Sequence, residues 1–379
     1  MDNTTLVAHC TQETMGLDLG DQRNRYCIVD ADGKIIDEGQ VGATQRGIEK
    51  LLSGRQPLLV AIEAGTHSGW VSRAVVKLGH RVLVANPRKL RLIYGNERKN
   101  DRVDAEYLAR LARLDPKLLG PIQHRGAEAQ SHLAMLRSRD ALVGARTEMI
   151  NHARGVVKAF GGRLPSSSTP AFCKRAWEEV PQELRGALGP IFEQIASLSK
   201  HIRDFDRSIE ELAQKKYPET RNLYSVPGVG WLTALAFVLT IEDPRRFPKS
   251  RSVAAYLGLV PRQDESGARA PQLRITKAGD TTVRRLLVTA AHYTLGPHGP
   301  DSDLRRWGRA LATRGGKNAK KRAVVAVARK LAVILLRLWV TGQEFQLVRS
   351  GGPAPAVGAV AAGTVATSES ASASDEAQG

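Results

Sequence analysis

The stretch RKNDRVDAEYLARLARL, Arg98 to Leu114, carries Asp101 and Asp104 three residues apart at the start of a predicted helix. At that spacing the two acids share one helix face. Leu108 and Leu111 continue the face and turn Asp104 toward the protein body, where a carboxylate is costly unless it meets a cation. Asp101, nearer the helix start, is also what a helix dipole favours on structural grounds alone. Two further acids sit in apolar surroundings: Asp18 within MGLDLG, and Glu63 at the end of PLLVAIE. Strand C-terminal ends are where open α/β sheets hold their ligands. If the fold brings these acids together from two strands and a helix, they form a hard-oxygen set suited to Mg²⁺, with Mn²⁺ as a substitute. Such a set can hold two metals in phosphoryl transfer, one activating the nucleophile and one stabilising the leaving oxygen.

The elements that must position these acids can be read in order. MGLDLG (Met15 to Gly20) and RYCIVD (Arg25 to Asp30) are strands; Asp32-Gly33 is a turn signal, and KIIDEG (Lys34 to Gly39) returns as a third strand. A helix over 44–52 follows, then the buried-type strand PLLVAIE, then GTHSG and a helix ending near Leu78. RVLVAN (Arg81 to Asn86) is the last strand, stopped by Pro87. Three strands in a meander followed by alternating helix and strand predict an RNase H-like sheet over 14–127.

The 379 residues carry a net charge of +18 and a pI of about 10.1, a balance that favours polyanionic partners and salt-sensitive binding to nucleic acid. Arg98, Lys99, Arg102, Arg110 and Arg113 surround the acidic helix start as candidate phosphate contacts, although any one of them reads equally as a solvated helix face. The cysteines Cys10, Cys27 and Cys173 show no CxxC spacing, which argues against a structural zinc site or a disulfide scaffold and predicts a reducing cytoplasm, beside the nucleoid when the protein acts. No apolar run has the length of a membrane span and the first residues lack a signal pattern, so no membrane partner is expected.

Residues 128–217 read as helical. Leu184, Leu188, Ile191, Ile195, Leu198, Ile202, Phe205, Ile209 and Leu212 alternate spacings of four and three, an a/d seam that predicts a coiled coil, either packed within one domain or joining copies as a homo-oligomer. Residues 218–348 form a second globular, mostly helical unit. It opens on SVPGVGWLTA, where Gly228 and Gly230 resemble a helix-hairpin-helix turn that offers backbone N–H groups to DNA phosphates. Lys317, Lys320, Lys321 and Arg322 are part of its densest basic run and precede an apolar helix, another candidate nucleic-acid contact. Residues 349–379 are Ala/Gly/Ser-rich and predict a disordered tail; residues 1–13 are a leader.

Asp18, Glu63, Asp101 and Asp104, in that strand order, resemble the RuvC-like DEDD domain of IS110 family transposases. The resemblance extends through Asn86-Pro87, Gly95, KNDRVDA and EYLARL. It resumes at VPGVG, Thr233-Ala234, Phe247, YLGLVP, Ser266-Gly267, ITKAG and RRLL, so that it spans 15–336. It implies an α/β plus α architecture: a RuvC-like DEDD domain, a helical coiled-coil middle and a C-terminal transposase domain. It also implies that Ser266 is the strand-breaking nucleophile, with Arg262, Arg269 and Lys277 as phosphate clamps, in a composite site shared between subunits acting on element ends and target DNA. A structured guide RNA encoded by the element is a further implied partner. Without the resemblance, DESG around Ser266 is ordinary turn chemistry.

Three other readings compete. A Mg²⁺-dependent junction nuclease would use the acids and leave Ser266 idle. An actin-like ATPase or sugar kinase would share the GLDLG strand, but it needs a second such lobe, and GGKN at Gly315 lacks P-loop spacing. A catalytically dead DNA-binding protein would bind unchanged after loss of Asp101 and Asp104.

Overall fold

The computed structural model describes residues 13–90, 100–266, 271 and 273–348. The leader through residue 12, the tail from 349, and Gly95, Arg98, Lys99, Gly267 and Arg269 lie outside the described residues. The described chain divides into two compact units, residues 13–207 with 236–242 and residues 208–235 with 243–348.

The first unit is built on a five-stranded mixed sheet. Its strands are β1 (Thr14–Asp18), β2 (Arg23–Val29), β3 (Ile35–Gly42), β4 (Leu59–Glu63) and β5 (Arg81–Ala85), in the order β3-β2-β1-β4-β5. The meander β1-β2-β3 is antiparallel, while β4 lies parallel to both β1 and β5. The β2–β3 turn forms because Asp30 Oδ1 accepts from the backbone N–H groups of Asp32 (3.0 Å) and Lys34 (2.8 Å), while Gly33 takes a φ of +82° that suits glycine.

Helices α1 (Gln45–Leu52) and α2 (Ser68–Lys77) cover one face of the sheet, meeting Met15, Leu17, Val60 and Ile62. Helix α3 (Asp101–Leu114) covers the other. With both faces covered, β4 reads as a continuous apolar run rather than an alternating one. Small residues let α3 approach closely: Ala105, Ala109 and Ala112 are buried beneath it. Gly16 of β1 faces them, and a Cβ there would stand 2.0 Å from Ala105 O and 2.5 Å from Ala109 N.

Beyond the sheet lie the long helices α4 (Ala127–Ala159) and α5 (Arg185–Lys216). Ile150, Ala153 and Val157 of α4 pack with Leu188, Phe192 and Ile195 of α5 and with Phe172 and Ala176 from the connecting segment. Buried Arg146 donates to Ser199 Oγ (3.2 Å), and Arg139 pairs with Asp206. Along the predicted seam the burial is split. Leu188, Ile195, Ile202 and Ile209 are buried, whereas Ile191, Leu198, Phe205 and Leu212 are half-buried.

The second unit includes α6 (Thr220–Tyr224), α8 (Ser252–Tyr256), α9 (Thr281–Leu295), α10 (Asp303–Thr313) and α11 (Ala319–Thr341); the intervening α7 (Trp231–Ile241) has residues in both units. Helix α11 carries the core of the second unit, with Val327, Leu331 and Leu335 fully buried, and packs on α9 and α10.

Candidate active site

Asp18 and Glu63 are the last residues of β1 and β4, which are parallel neighbours in register through Leu17 and Ile62. Both acids therefore end at the same edge of the sheet. The two-residue strand period gives each its face. Asp18 follows Gly16, which touches α3, and Glu63 follows Ala61, which shares a core with Leu108 and Ala112 of α3. Both carboxylates thus belong to the face that α3 covers.

The direction of α3 supplies the other pair. Near its C-terminus, Arg113 Nη1 donates to Ala31 O and Arg110 Nη1 to Gly33 O, both 2.8 Å, fastening that end over the β2–β3 hairpin. The hairpin lies at the start of β1, because Thr14 pairs with Val29. Near the N-terminus, Arg102 pairs with Glu38 of β3, which is opposite Cys27, itself opposite Gly16. Helix α3 therefore runs antiparallel to β1, and its first turn points to the sheet edge where Asp18 and Glu63 end. Asn100 caps the helix, accepting from Arg102 N (3.0 Å), so Asp101 and Asp104 open it. Asp104 is half-buried and Asp101 exposed. Sheet register and helix direction thus assign all four acids to one edge and one face. Among the described residues, no three His, Cys, Asp or Glu side chains are grouped so as to hold a metal ion. The donor set, all carboxylate oxygen, nevertheless has the chemistry that hard divalent cations take.

Arg110 and Arg113 have a use other than the phosphate contact expected of them. Arg110 also pairs with Glu106 (2.7 Å), so both guanidinium groups tie α3 to the hairpin. Arg102 remains 61% exposed while paired with Glu38. Sequence reasoning missed a neighbour of this edge. His67 follows β4, Asp21 follows β1, and His67 Nε2 stands 3.3 Å from Asp21 Oδ1. Trp70 Nε1 donates to His67 Nδ1 (3.4 Å), and because an indole N–H only donates, the imidazole proton belongs on Nε2, facing Asp21. The i, i+3 spacing of His67 and Trp70 was the available signal.

In the second unit, Ser266 is an exposed β-bridge residue beyond a short two-stranded base. Pro261 bridges Ile275, Arg262 N donates to Arg274 O (2.9 Å) and Thr276 N to Val260 O (2.8 Å). Gly258 (φ +68°) and Gly279 (φ +73°) lock this base. A Cβ on Gly258 would fall 2.2 Å from Ala278 O, and one on Gly279 would fall 2.0 Å from Tyr256 O. Buried Arg284 closes the arrangement, with Nη1 donating to Leu257 O (3.1 Å) and Ala278 O (2.9 Å). Arg262 and Lys277 are exposed on either side of the base.

Gly228 and Gly230 form the exposed turn between α6 and α7, braced by Tyr224 stacked on Trp231 at 4.2 Å. Gly228 (φ +87°) packs against α9, where a Cβ would meet Ala290 O at 3.0 Å. Lys317, Lys320, Lys321 and Arg322 are all exposed around the N-terminus of α11. No described helix is long and apolar enough to cross a membrane.

The carboxylate edge and the helical second unit each match a family model. Residues 15–161 match the DEDD transposase model of IS110 elements, and residues 220–304 match the model described as Transposase IS116/IS110/IS902 family. The transposase for insertion sequence element IS1111A of Coxiella burnetii is 30% identical over 342 residues, covering 87% of this chain and 90% of its own length. The transposase for insertion sequence element IS1328 of Yersinia enterocolitica is 28% identical over 353 residues, covering 91% and 99%. This chain belongs to the IS110 family of transposases, DNA-cleaving and DNA-recombining enzymes. Its DEDD domain is of a kind that uses divalent metal, and it binds DNA.

Proposed function

We propose that the chain cuts and exchanges the strands of an insertion sequence through a Mg²⁺-dependent, RuvC-like carboxylate site and a serine nucleophile. The observation that carries the reading is the assignment of Asp18, Glu63, Asp101 and Asp104 to one sheet edge and one face. These four residues would hold the metal. When bound, it neutralises phosphate charge and stabilises a departing oxygen. The Ser266 hydroxyl attacks the phosphodiester, loses its proton and displaces a 3′-hydroxyl, leaving a phosphoserine that the reverse step resolves onto a new strand. Exposure of Ser266, Arg262 and Lys277 on one loop base supports that role, because a serine needs nearby cations to approach a dianionic transition state.

DNA backbone contacts are assigned to Arg98, Lys99 and Arg102, to the Gly228–Gly230 turn, and to Arg262, Arg269 and Lys277. A further contact is the start of α11, where cations at the positive end of a helix dipole are unfavourable unless an anion meets them. Half-buried Ile191, Leu198, Phe205 and Leu212 support joining of copies through α5, so that one copy's serine can serve another's carboxylates. An element-encoded guide RNA would select donor and target.

The test mixes protein, Mg²⁺, element-end DNA and the element's non-coding RNA, then looks for covalent protein–DNA adducts after denaturation. Wild type should give an RNA-dependent adduct that Ser266→Ala and Asp104→Ala both lose. Cleavage without an adduct, surviving Ser266→Ala but not Asp104→Ala, would make the enzyme a plain nuclease.

A further inference from the structure

A cleft of about 560 Å³ opens on the sheet face opposite the carboxylates, between β3 and α1. The faces are fixed by register: Tyr26 is opposite Leu17, whereas Asp18 is opposite Arg25. Tyr26 and Leu17 belong to the α1/α2 side. The size suits one nucleotide unit.

The lining has two kinds of chemistry. Arg46 and Lys50 stand one helical turn apart on α1, exposed, and among the described residues neither forms an ion pair. Arg55 adds a third cation, already spent on Asp37 (2.6 Å) and on Leu51 O (2.8 Å). Its pairing matters because it neutralises a carboxylate near the cleft and leaves the local field positive. Tyr26 supplies an aromatic wall. Its ring lies across Gly39, where a Cβ would come within 2.9 Å of the phenol oxygen, so glycine keeps room for the ring. Gly47 lets the start of α1 meet the end of β3, since a Cβ there would stand 2.1 Å from Gly42 O.

We propose that this cleft is a nucleic-acid subsite, separate from the carboxylate edge, that takes one unstacked nucleotide of a single strand. Its phosphate would lie between Arg46 and Lys50 and its base against Tyr26. Cations beside an aromatic face are how single strands are held without sequence readout, and a base paired and stacked in a duplex cannot reach such a wall. A strand held here would be positioned by the same sheet whose opposite face carries the acids.

The test photo-crosslinks the full-length protein to a short oligonucleotide bearing 5-iodouracil, made as DNA, as RNA and as a DNA duplex, and maps adducts by mass spectrometry. The single strands should mark the peptide containing Tyr26, and whichever of DNA or RNA marks it more strongly names the source. Arg46→Ala with Lys50→Ala, both at exposed positions, should abolish that adduct. The double variant should also lower the salt slope of single-strand binding by about 0.7, the value for the one phosphate contact it removes. Tyr26→Leu should weaken binding about tenfold. Asp104→Ala should leave the Tyr26 adduct in place, so this proposal and the carboxylate reading fail separately. Adducts that never include Tyr26, a duplex that marks it equally, or a salt slope unchanged in the double variant would each overturn the subsite.

Discussion

The two candidate reaction centres are built in opposite ways. The four acids end regular elements, and their placement follows from strand register and the direction of one helix. Ser266 is an exposed bridge residue outside the regular elements, and the base beneath it is held by Gly258, Gly279 and Arg284. A metal site needs ligands held to within a fraction of an ångström, and rigid elements provide that. A nucleophile that must reach a scissile phosphate needs a firm base, and here positive-φ glycines and one buried arginine provide it. The contrast predicts that loss of an acid or of Ser266 removes chemistry outright, whereas changes at Gly16, Gly258 or Arg284 act through the anchorage of one centre or the other.

The largest effect should come from the acids themselves. Asp18→Asn or Glu63→Gln should lower metal-dependent strand cleavage by roughly 10³-fold or more, with DNA affinity little changed. Gel assays of cleavage and binding on the same DNA check both halves. A variant that still cuts at wild-type rate would remove its residue from the site.

The next effects separate the two anchorages. Gly16→Ala forces a methyl into the backbone of α3 and should cost about 3 kcal/mol of stability in the first unit. Gly258→Ala meets the Ala278 backbone at a left-handed φ and should cost a similar amount, about 3 kcal/mol, in the second. Thermal melts should show Gly16→Ala destabilising the first unit and Gly258→Ala the second, with adduct and cleavage falling together in each because cleavage passes through the serine adduct. Arg284→Met should cost about 2 kcal/mol, since it strands carbonyls that a buried guanidinium now satisfies. Cleavage that outlasts the adduct in any variant would break the serine reading, and a single unfolding step lowered alike by Gly16→Ala and Gly258→Ala would erase the distinction.

The same contrast explains what could be read from the sequence. The strands that carry the acids were legible because apolar runs bounded by turn residues mark buried strands, and the Asp32-Gly33 turn forms as expected. Helix α3 was legible from its period, and the expectation that Asp18, Glu63, Asp101 and Asp104 share one site rested on the element order together with the family resemblance. Nothing in the sequence showed why Gly16 had to be glycine, because its constraint comes from Ala105, far along the chain. Arg110 and Arg113 read as solvated or phosphate-facing because their carbonyl partners at Gly33 and Ala31 belong to a hairpin closed by tertiary packing. The heptad seam predicted a helix correctly but could not tell which of its two rows faces α4, since both rows are equally apolar in sequence. The Ser266 base depends on positive φ at Gly258 and Gly279, which YLGLVP and ITKAG do not announce as a contacting pair.

The smallest predicted effect is also the sharpest probe of the first anchorage. Cys27 is buried under α3 with Val29, Ala105 and Ala109. Burial, with Glu106 and Glu38 adding negative charge, pushes its thiol up to about 11. Below that pH the sulfur stays protonated, and the thiolate that alkylating reagents need is scarce as well as shielded. At pH 8, Cys27 should therefore react with iodoacetamide only when α3 lifts from the sheet. Its labelling, read by mass spectrometry against denatured protein, becomes a clock for opening of the carboxylate edge. Gly16→Ala should speed that labelling, and Gly258→Ala should leave it at the wild-type rate. If both variants speed it equally, the two centres open together, and their anchorages are one structure rather than two.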